Sequence, residues 1–224
     1  FYLERGKKDQ AFFQALYVQA FLHYQLGEFS QAEQQLLRIV GDRNHSEVCL
    51  HAYNLLAQVY REISSQQNNS HKRREILNRG KKILAKAILE YPNHPILLNT
   101  MGVIYDELGN KARAKEYFVA AQAADPFCLF SYLNLVDLQL DYQRKEEAEV
   151  ELQKLQVKIK EMLENRQHMP EILKIDFYVF MKEIIQRTQS RAAQEILESI
   201  FSSPYGGKAR KLFQMAKGPI QSNS

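Results

Sequence analysis

The sequence predicts an all-α fold of antiparallel helix pairs, and three observations carry that expectation. The stretch Pro95–Pro126, PILLNTMGVIYDELGNKARAKEYFVAAQAADP, reads as two short amphipathic helices. Leu98, Met101, Gly102 and Tyr105 mark the inner face of the first, and Ala114, Phe118 and Ala121 that of the second. Gly109 and Asn110 supply the turn, because both tolerate the backbone angles that end a helix, and Pro126 stops the second helix. The same spacing recurs on both sides of this stretch. Small residues fall where the helices of a pair would cross most closely, with large apolar residues on either side.

Taken in order, residues 13–46 place Leu16, Ala20 and Tyr24 in a first helix and Gly27 at the turn. Ala32, Leu36 and Ile39 follow in a second helix, with Ser30 near its start. The pair over 50–94 has Tyr53, Leu56, Ala57 and Tyr60, then Gly80, Leu84 and Ala87 before Tyr91 and Pro92. Its helices are separated by an insertion of about eleven residues. Ser64–Lys72 is polar and aperiodic, so a loop is expected there. The pair over 95–128 follows without a gap. Over 129–168, Tyr132 and Leu135 precede Ala148, Leu152 and Leu155. Val136 stands where the best-formed pair has glycine. Apolar positions at Ile159, Met162 and Leu163 carry the second helix on to about His168.

From Met169 the pattern weakens. Pro170 suits the first turn of a helix, and Ile172, Ile175, Tyr178, Val179 and Ile185 outline an apolar face. Ala192, Ile196 and Pro204 fall at second-helix spacings, which gives a degenerate fifth pair over 170–204. Gly206 and Gly207 introduce a short basic capping helix within 205–217, and 218–224 reads as a flexible tail. Stacked pairs share a core that one pair cannot close, so 1–217 is expected to form one domain.

With its large apolar–Leu–Gly–Tyr…Ala…Phe…Pro pattern over about 34 residues, Pro95–Pro126 resembles the tetratricopeptide repeat (TPR). The resemblance extends to 13–46, 50–92 and 129–160, and more faintly to 170–204. It implies a right-handed superhelical TPR solenoid of four repeats, a degenerate fifth and a C-terminal capping helix. It also implies that the first helices line a concave groove that takes a peptide or helix of a partner. By register, Gln14, Tyr17, Phe21, Tyr24 and Gln25 face that groove from the first repeat. His51, Asn54, Gln58 and Arg61 follow from the second, Ile96, Asn99, Val103 and Asp106 from the third, and Phe130, Leu133 and Asp137 from the fourth.

Tyr17, Phe21, Tyr24, Asn54, Gln58, Asn99, Val103 and Phe130 are the candidate partner contacts. Asn and Gln can pair with a peptide main chain, while aromatic residues supply apolar pockets. For Tyr17, Phe21 and Tyr24, packing against Phe1, Tyr2 and Leu3 is a competing role. TPR domains of chaperone adaptors grip an acidic C-terminus with Lys, Asn and Arg. The corresponding places here hold Tyr17, Phe21, Leu55, Ile96 and Thr100, so a chaperone tail is not the expected partner.

The bulk chemistry points away from other classes. A formal net charge of +4, with 45% hydrophobic and 25% charged residues, is ordinary for a globular protein. No apolar run is long enough to span a membrane. Lys72, Arg73, Arg74, Arg79, Lys81, Lys82 and Lys86 crowd one segment opposed by Glu75. Arg73, Arg74, Lys81 and Lys82 form the core of a basic patch that could attract nucleic acid, an anionic membrane or an acidic partner. The charges run around the helix with few aromatics between them, which fits a solvated outer face better. Lys208, Arg210, Lys211 and Lys217 beside Leu212 and Phe213 fit a cap.

His45, Cys49 and His51 lack the four convergent ligands zinc wants. No phosphate-cradling loop or nucleophile elbow occurs. No metal, cofactor or catalytic activity is expected. Cys49 and Cys128 offer no disulfide framework, and two reduced, half-buried thiols fit the cytosol. A periplasmic location would need a signal upstream of FYLERGKKDQ. The expected function is a non-catalytic protein–protein interaction scaffold. Two competing expectations are an assembly or pilotin-like factor of a bacterial envelope or pilus machine, and a basic-surface binder acting through 72–86.

Overall fold

Short connections force neighbouring helices to run antiparallel, and this computed structural model describes residues 2–42, 46–165, 172 and 174–216. Two compact units result, Phe1–Tyr117 and Phe118–Ser224. In the first unit, α1 (Tyr2–Gln25) turns at Gly27 into α2 (Phe29–Gly41). Gly27 has a φ of 76°, a left-handed conformation that glycine adopts at least cost. Next come α3 (Ser46–Ser65) and α4 (Ser70–Glu90), then α5 (Pro95–Glu107) and α6 (Lys111–Ala124), which carries the unit boundary. Pro95 sits in the first turn of α5, where its missing N–H leaves no bond unmade.

Each hairpin lends its apolar stripe to a common core. Leu16 and Ala20 of α1 meet Ala32, Leu36 and Ile39 of α2, Tyr53, Leu56 and Ala57 of α3, Leu84 and Ala87 of α4, and Leu97, Met101 and Ile104 of α5. Burying a Leu or Ile side chain contributes about 1.5–3 kcal/mol relative to exposure. The approach of α4 to its neighbours depends on Gly80. A Cβ there would stand 3.1 Å from Ile104 Cδ1 and 3.3 Å from Tyr60 Cβ, inside normal packing distance.

The second unit holds α7 (Leu129–Asp141), α8 (Lys145–Asn165), α9 (Ile175–Thr188), α10 (Arg191–Phe201) and α11 (Gly206–Met215). Leu129, Leu133 and Val136, Leu152, Leu155 and Ile159, Phe177, Tyr178 and Met181, and Ile196 and Ile200 form its core. The Tyr178 hydroxyl donates to the Ile172 carbonyl at 2.7 Å, and burial pushes the phenol up to about 12. Ser190 caps α10 by accepting from the Ala193 N–H. Lys182 donates to the Ala216 carbonyl at 2.6 Å and stands 4.6 Å over the Phe213 ring, closing α11 onto α9.

Three expectations need correction. The insertion at Ser64–Lys72 does not form a long loop. Helix α3 runs to Ser65, α4 starts at Ser70, and four residues connect them. Ser64 is buried and donates to the Arg61 carbonyl, and Asn69 accepts from the Lys72 N–H as the α4 cap. Polar residues thus lengthen both helices. On α9 the buried face is Phe177, Tyr178, Met181 and Ile184, while Ile175 is exposed. Both cysteines are buried rather than half-buried. The expectations for Phe1, His45, His168, Pro170 and the 218–224 tail lie outside the described residues.

Gly206 gives a sharp test of the second unit. A Cβ there would lie 1.9 Å from the Phe201 carbonyl oxygen, whereas at Gly207 nothing lies within 4 Å. Gly206→Ala is expected to cost about 3 kcal/mol or more by forcing backbone apart. Gly207→Ala should leave the denaturation midpoint unchanged or raise it. Equal midpoints for the two variants would contradict the α10–α11 geometry.

Candidate functional site

Helices α1, α3 and α5 all lie in the first unit, and α3 touches both of the others. Their shared face collects most of the residues expected to meet a partner. Tyr17 of α1 is half-buried with its ring 6.1 Å from that of His51 on α3. Burial pushes the Tyr17 phenol above its ordinary value. Phe21, one turn on, remains 42% exposed. Tyr24 is half-buried because its ring leans on Phe29 of α2 at 5.9 Å. An aromatic row therefore edges the face, with Phe21 the most open member.

The middle of the face is polar. Asn54, Gln58 and Asn99 are all half-buried, as is Val103. The Thr100 hydroxyl lies 2.7 Å from the Asn54 side-chain oxygen and 2.9 Å from the Ile96 carbonyl. That contact spans α3 and α5 and holds one half of the Asn54 amide, leaving its other half able to pair with a main-chain group. Thr100 is a positioning residue that sequence reasoning weighed only as a missing clamp residue. No local signal marks it, since its partner lies forty-six positions away.

At one end of the face the expected groove residues are already paired. Arg61 donates to Glu107 Oε1 through Nε at 2.9 Å and Nη2 at 2.6 Å, and Lys111 pairs with Asp106 at 2.6 Å. Gln14, Gln25 and His51 are exposed, and Ile96 is 39% exposed. His94, just before α5, was not anticipated as part of this region. Its Nδ1 is buried without a hydrogen-bond partner among the described residues. Burial lowers its affinity for a proton, and the nearby His51 lowers it further.

The fourth-repeat residues sit in the second unit, where α9 takes them up. Leu133 is fully buried in that unit's core, a correction to its expected groove-facing role. Arg187 of α9 pairs with Asp137, and with Asp141 at 3.0 Å. Phe130 is half-buried edge-on to Phe180 at 6.3 Å, with Lys174 5.7 Å above its ring.

The basic segment is α4. Seven Lys and Arg against Glu75 and Glu90 give this helix a surplus of five positive charges, larger than the +4 of the whole chain. Arg79 pairs with Glu75 at 3.0 Å, and Lys81 stands 5.7 Å from the Tyr105 ring centroid. Lys72, Arg73, Arg74 and Lys82 are exposed and have no ion-pair partner among the described residues. Arg74, Asn78 and Lys82 line a shallow depression along one helix face. Among the described residues, no group of three His, Cys, Asp or Glu side chains could hold a metal, and no helix is long and apolar enough to cross a membrane.

Comparison with known proteins places this geometry. Residues 97–128 match the tetratricopeptide repeat family, and none of the curated proteins matches the sequence. Among solved structures, BtubC (BKLC) from P. vanneervenii aligns at 18% identity with a TM-score of 0.58, covering 96% of this chain and 86% of its own. A Podosopora anserina kinesin-light-chain-type protein of nearly identical TPR-like repeats aligns at 18% identity with a TM-score of 0.51, covering 91% and 96%. PilW, a type IV pilus biogenesis factor, aligns at 14% identity over 89% of this chain and 97% of its own. Its TM-score is 0.42. The similarities show an all-α TPR solenoid fold.

Two outcomes are expected from the charges. The first turn of α4 has no acidic residue, so its cations oppose the positive end of the helix dipole. Lys72→Glu would also let a carboxylate reach back to the Asn69 N–H, and should raise stability by about 0.5–1 kcal/mol in denaturant titration. For His94, the folded state binds a proton more weakly than the unfolded chain. Its contribution is present above the ordinary histidine value of about 6.5 and is lost as pH falls through the lowered folded-state value. His94→Gln should therefore flatten the decline in unfolding free energy on the acid side; an unchanged slope would contradict the burial of Nδ1.

Proposed function

Because the chain carries a tetratricopeptide repeat and has the fold of TPR proteins, we propose that it is a non-catalytic scaffold that binds a protein partner. The binding site is the face of α1, α3 and α5 in the first unit. One observation carries this reading: an aromatic edge of half-buried Tyr17 and exposed Phe21 adjoins a half-buried amide strip in which Thr100 holds Asn54. An extended peptide has both needs. Its main chain requires paired donors and acceptors, and its side chains require apolar pockets at alternate positions. Affinity comes mainly from the aromatic edge, and register from Asn54, Gln58 and Asn99.

The ion pairs Arg61–Glu107 and Asp106–Lys111 set one limit of the site, since a ligand must break them to go further. The exposed cations of α4 lie on a helix that contributes none of these residues. They favour an acidic partner surface only as a separate contact.

The test uses a partner captured by pull-down and identified by mass spectrometry, with affinity then measured by calorimetry. Tyr17→Ala combined with Asn99→Ala should weaken binding by on the order of tenfold or more, the range typical of interface anchors. Thermal midpoints of the variants separate loss of binding from loss of fold. Unchanged affinity in a folded double variant would sink the reading.

A further inference from the structure

Helix α4 begins outside the core that its later turns help to form. The line Leu77, Gly80 and Leu84 is buried. Arg73 continues that line by one turn, yet it is exposed. Every residue over 68–75, NNSHKRRE, is exposed. Lys72, Arg73 and Arg74 point about 100° apart around the helix, so positive charge reaches solvent on three sides. Much of this segment belongs to the insertion that lengthens the repeat, and the core takes nothing from it.

Pairing within α4 does not absorb its charge. Glu75 is held by Arg79 at 3.0 Å and Glu90 by Lys86 at 3.9 Å. That leaves Lys72, Arg73, Arg74 and Lys82 without an ion-pair partner among the described residues. Lys82 has Arg79 three positions before it and Lys86 four after it, spacings at which like charges oppose a helix. Helix α8, also 21 residues long, instead sets Lys154 beside Glu151 and Lys158 beside Glu161. Cations kept against local stability, where packing does not need them, mark a function.

We propose that this surface of α4 binds the phosphate backbone of double-stranded DNA without regard to base sequence. What surrounds the charges selects the occupant. A protruding helix that is positive on several sides fits a groove walled by phosphates, and the major groove of B-form DNA, about 12 Å wide, admits an α-helix. The deep, narrow major groove of an RNA duplex does not. A flat anionic membrane meets one side only and takes up an apolar helix face, whereas 68–75 contains no apolar residue. A single strand stacks its bases on aromatic rings, and 68–75 has no Phe, Tyr or Trp. Arg74, Asn78 and Lys82 stand four residues apart, a line about 12 Å long that faces one wall of the groove. Contacts to phosphate set position and carry no sequence information. The site shares no residue with the α1–α3–α5 face, and neither depends on the other.

Fluorescence anisotropy of a short labelled DNA duplex, titrated with the full chain at several salt concentrations, tests this. Four unpaired cations predict a slope of log K against log[salt] of about −3.6. The triple variant Arg73→Glu, Arg74→Glu, Lys82→Glu should lose on the order of tenfold or more in affinity, with a thermal midpoint no lower than the parent's. Arg73→Lys with Arg74→Lys should keep the slope. A folded triple variant that binds like the parent would overturn the assignment, as would no binding at low salt. Equal affinity for polyglutamate, for single-stranded DNA or for phosphatidylserine vesicles would also overturn it, assigning the charges to an acidic protein, an open strand or a membrane.

Discussion

The contact between Ile104 and the bare backbone at Gly80 stands for the constraint on which the whole molecule depends. A helical hairpin has one apolar stripe too many to bury by itself, so each pair must seat large side chains into the next. The seat must be shallow where the helices cross. Gly80 provides it between α3, α4 and α5, and small residues such as Ala20, Ala57 and Ala87 do so elsewhere in the same core. Because stability is shared between neighbours, the outward faces of the first helices are released from packing duty. They can then hold side chains chosen for another purpose.

The first unit shows how that freedom is used. Along α1, α3 and α5 the residues that face away from the core are neither random nor uniformly solvated. Aromatic rings gather on α1, amides on α3 and α5, and ion pairs close one end. The second unit spends the comparable residues internally: Leu133 is core, and Asp137 is held by Arg187. The difference arises from α9, whose Phe180 and Arg187 reach α7.

Much of this was legible in the sequence, for identifiable reasons. Gly27, Gly109 and Pro95 mark turns and starts through backbone geometry alone, and Leu16, Leu36, Leu56, Leu84 and Met101 mark the core through periodicity. Those signals are local. What could not be read depends on distant partners. The polar insertion could not reveal that Ser64 would be buried against its own helix or that Asn69 would cap the next one. Thr100 meeting Asn54 and Arg187 meeting Asp137 join residues about fifty positions apart. His94 reads as an ordinary residue before a proline, yet its Nδ1 is buried and the nearby His51 acts on its proton affinity.

The central claim is that a partner lies across the α1–α3–α5 face of the first unit and not on the outer surface of α4. A photo-reactive residue placed in turn at Phe21, Gln58 and Leu89 tests it most directly. Phe21 and Gln58 belong to the face, whereas Leu89 is 85% exposed on α4. The account predicts that one and the same partner is trapped from Phe21 and Gln58 and is absent from Leu89. Trapping of that partner from Leu89 as efficiently as from the other two positions would contradict it.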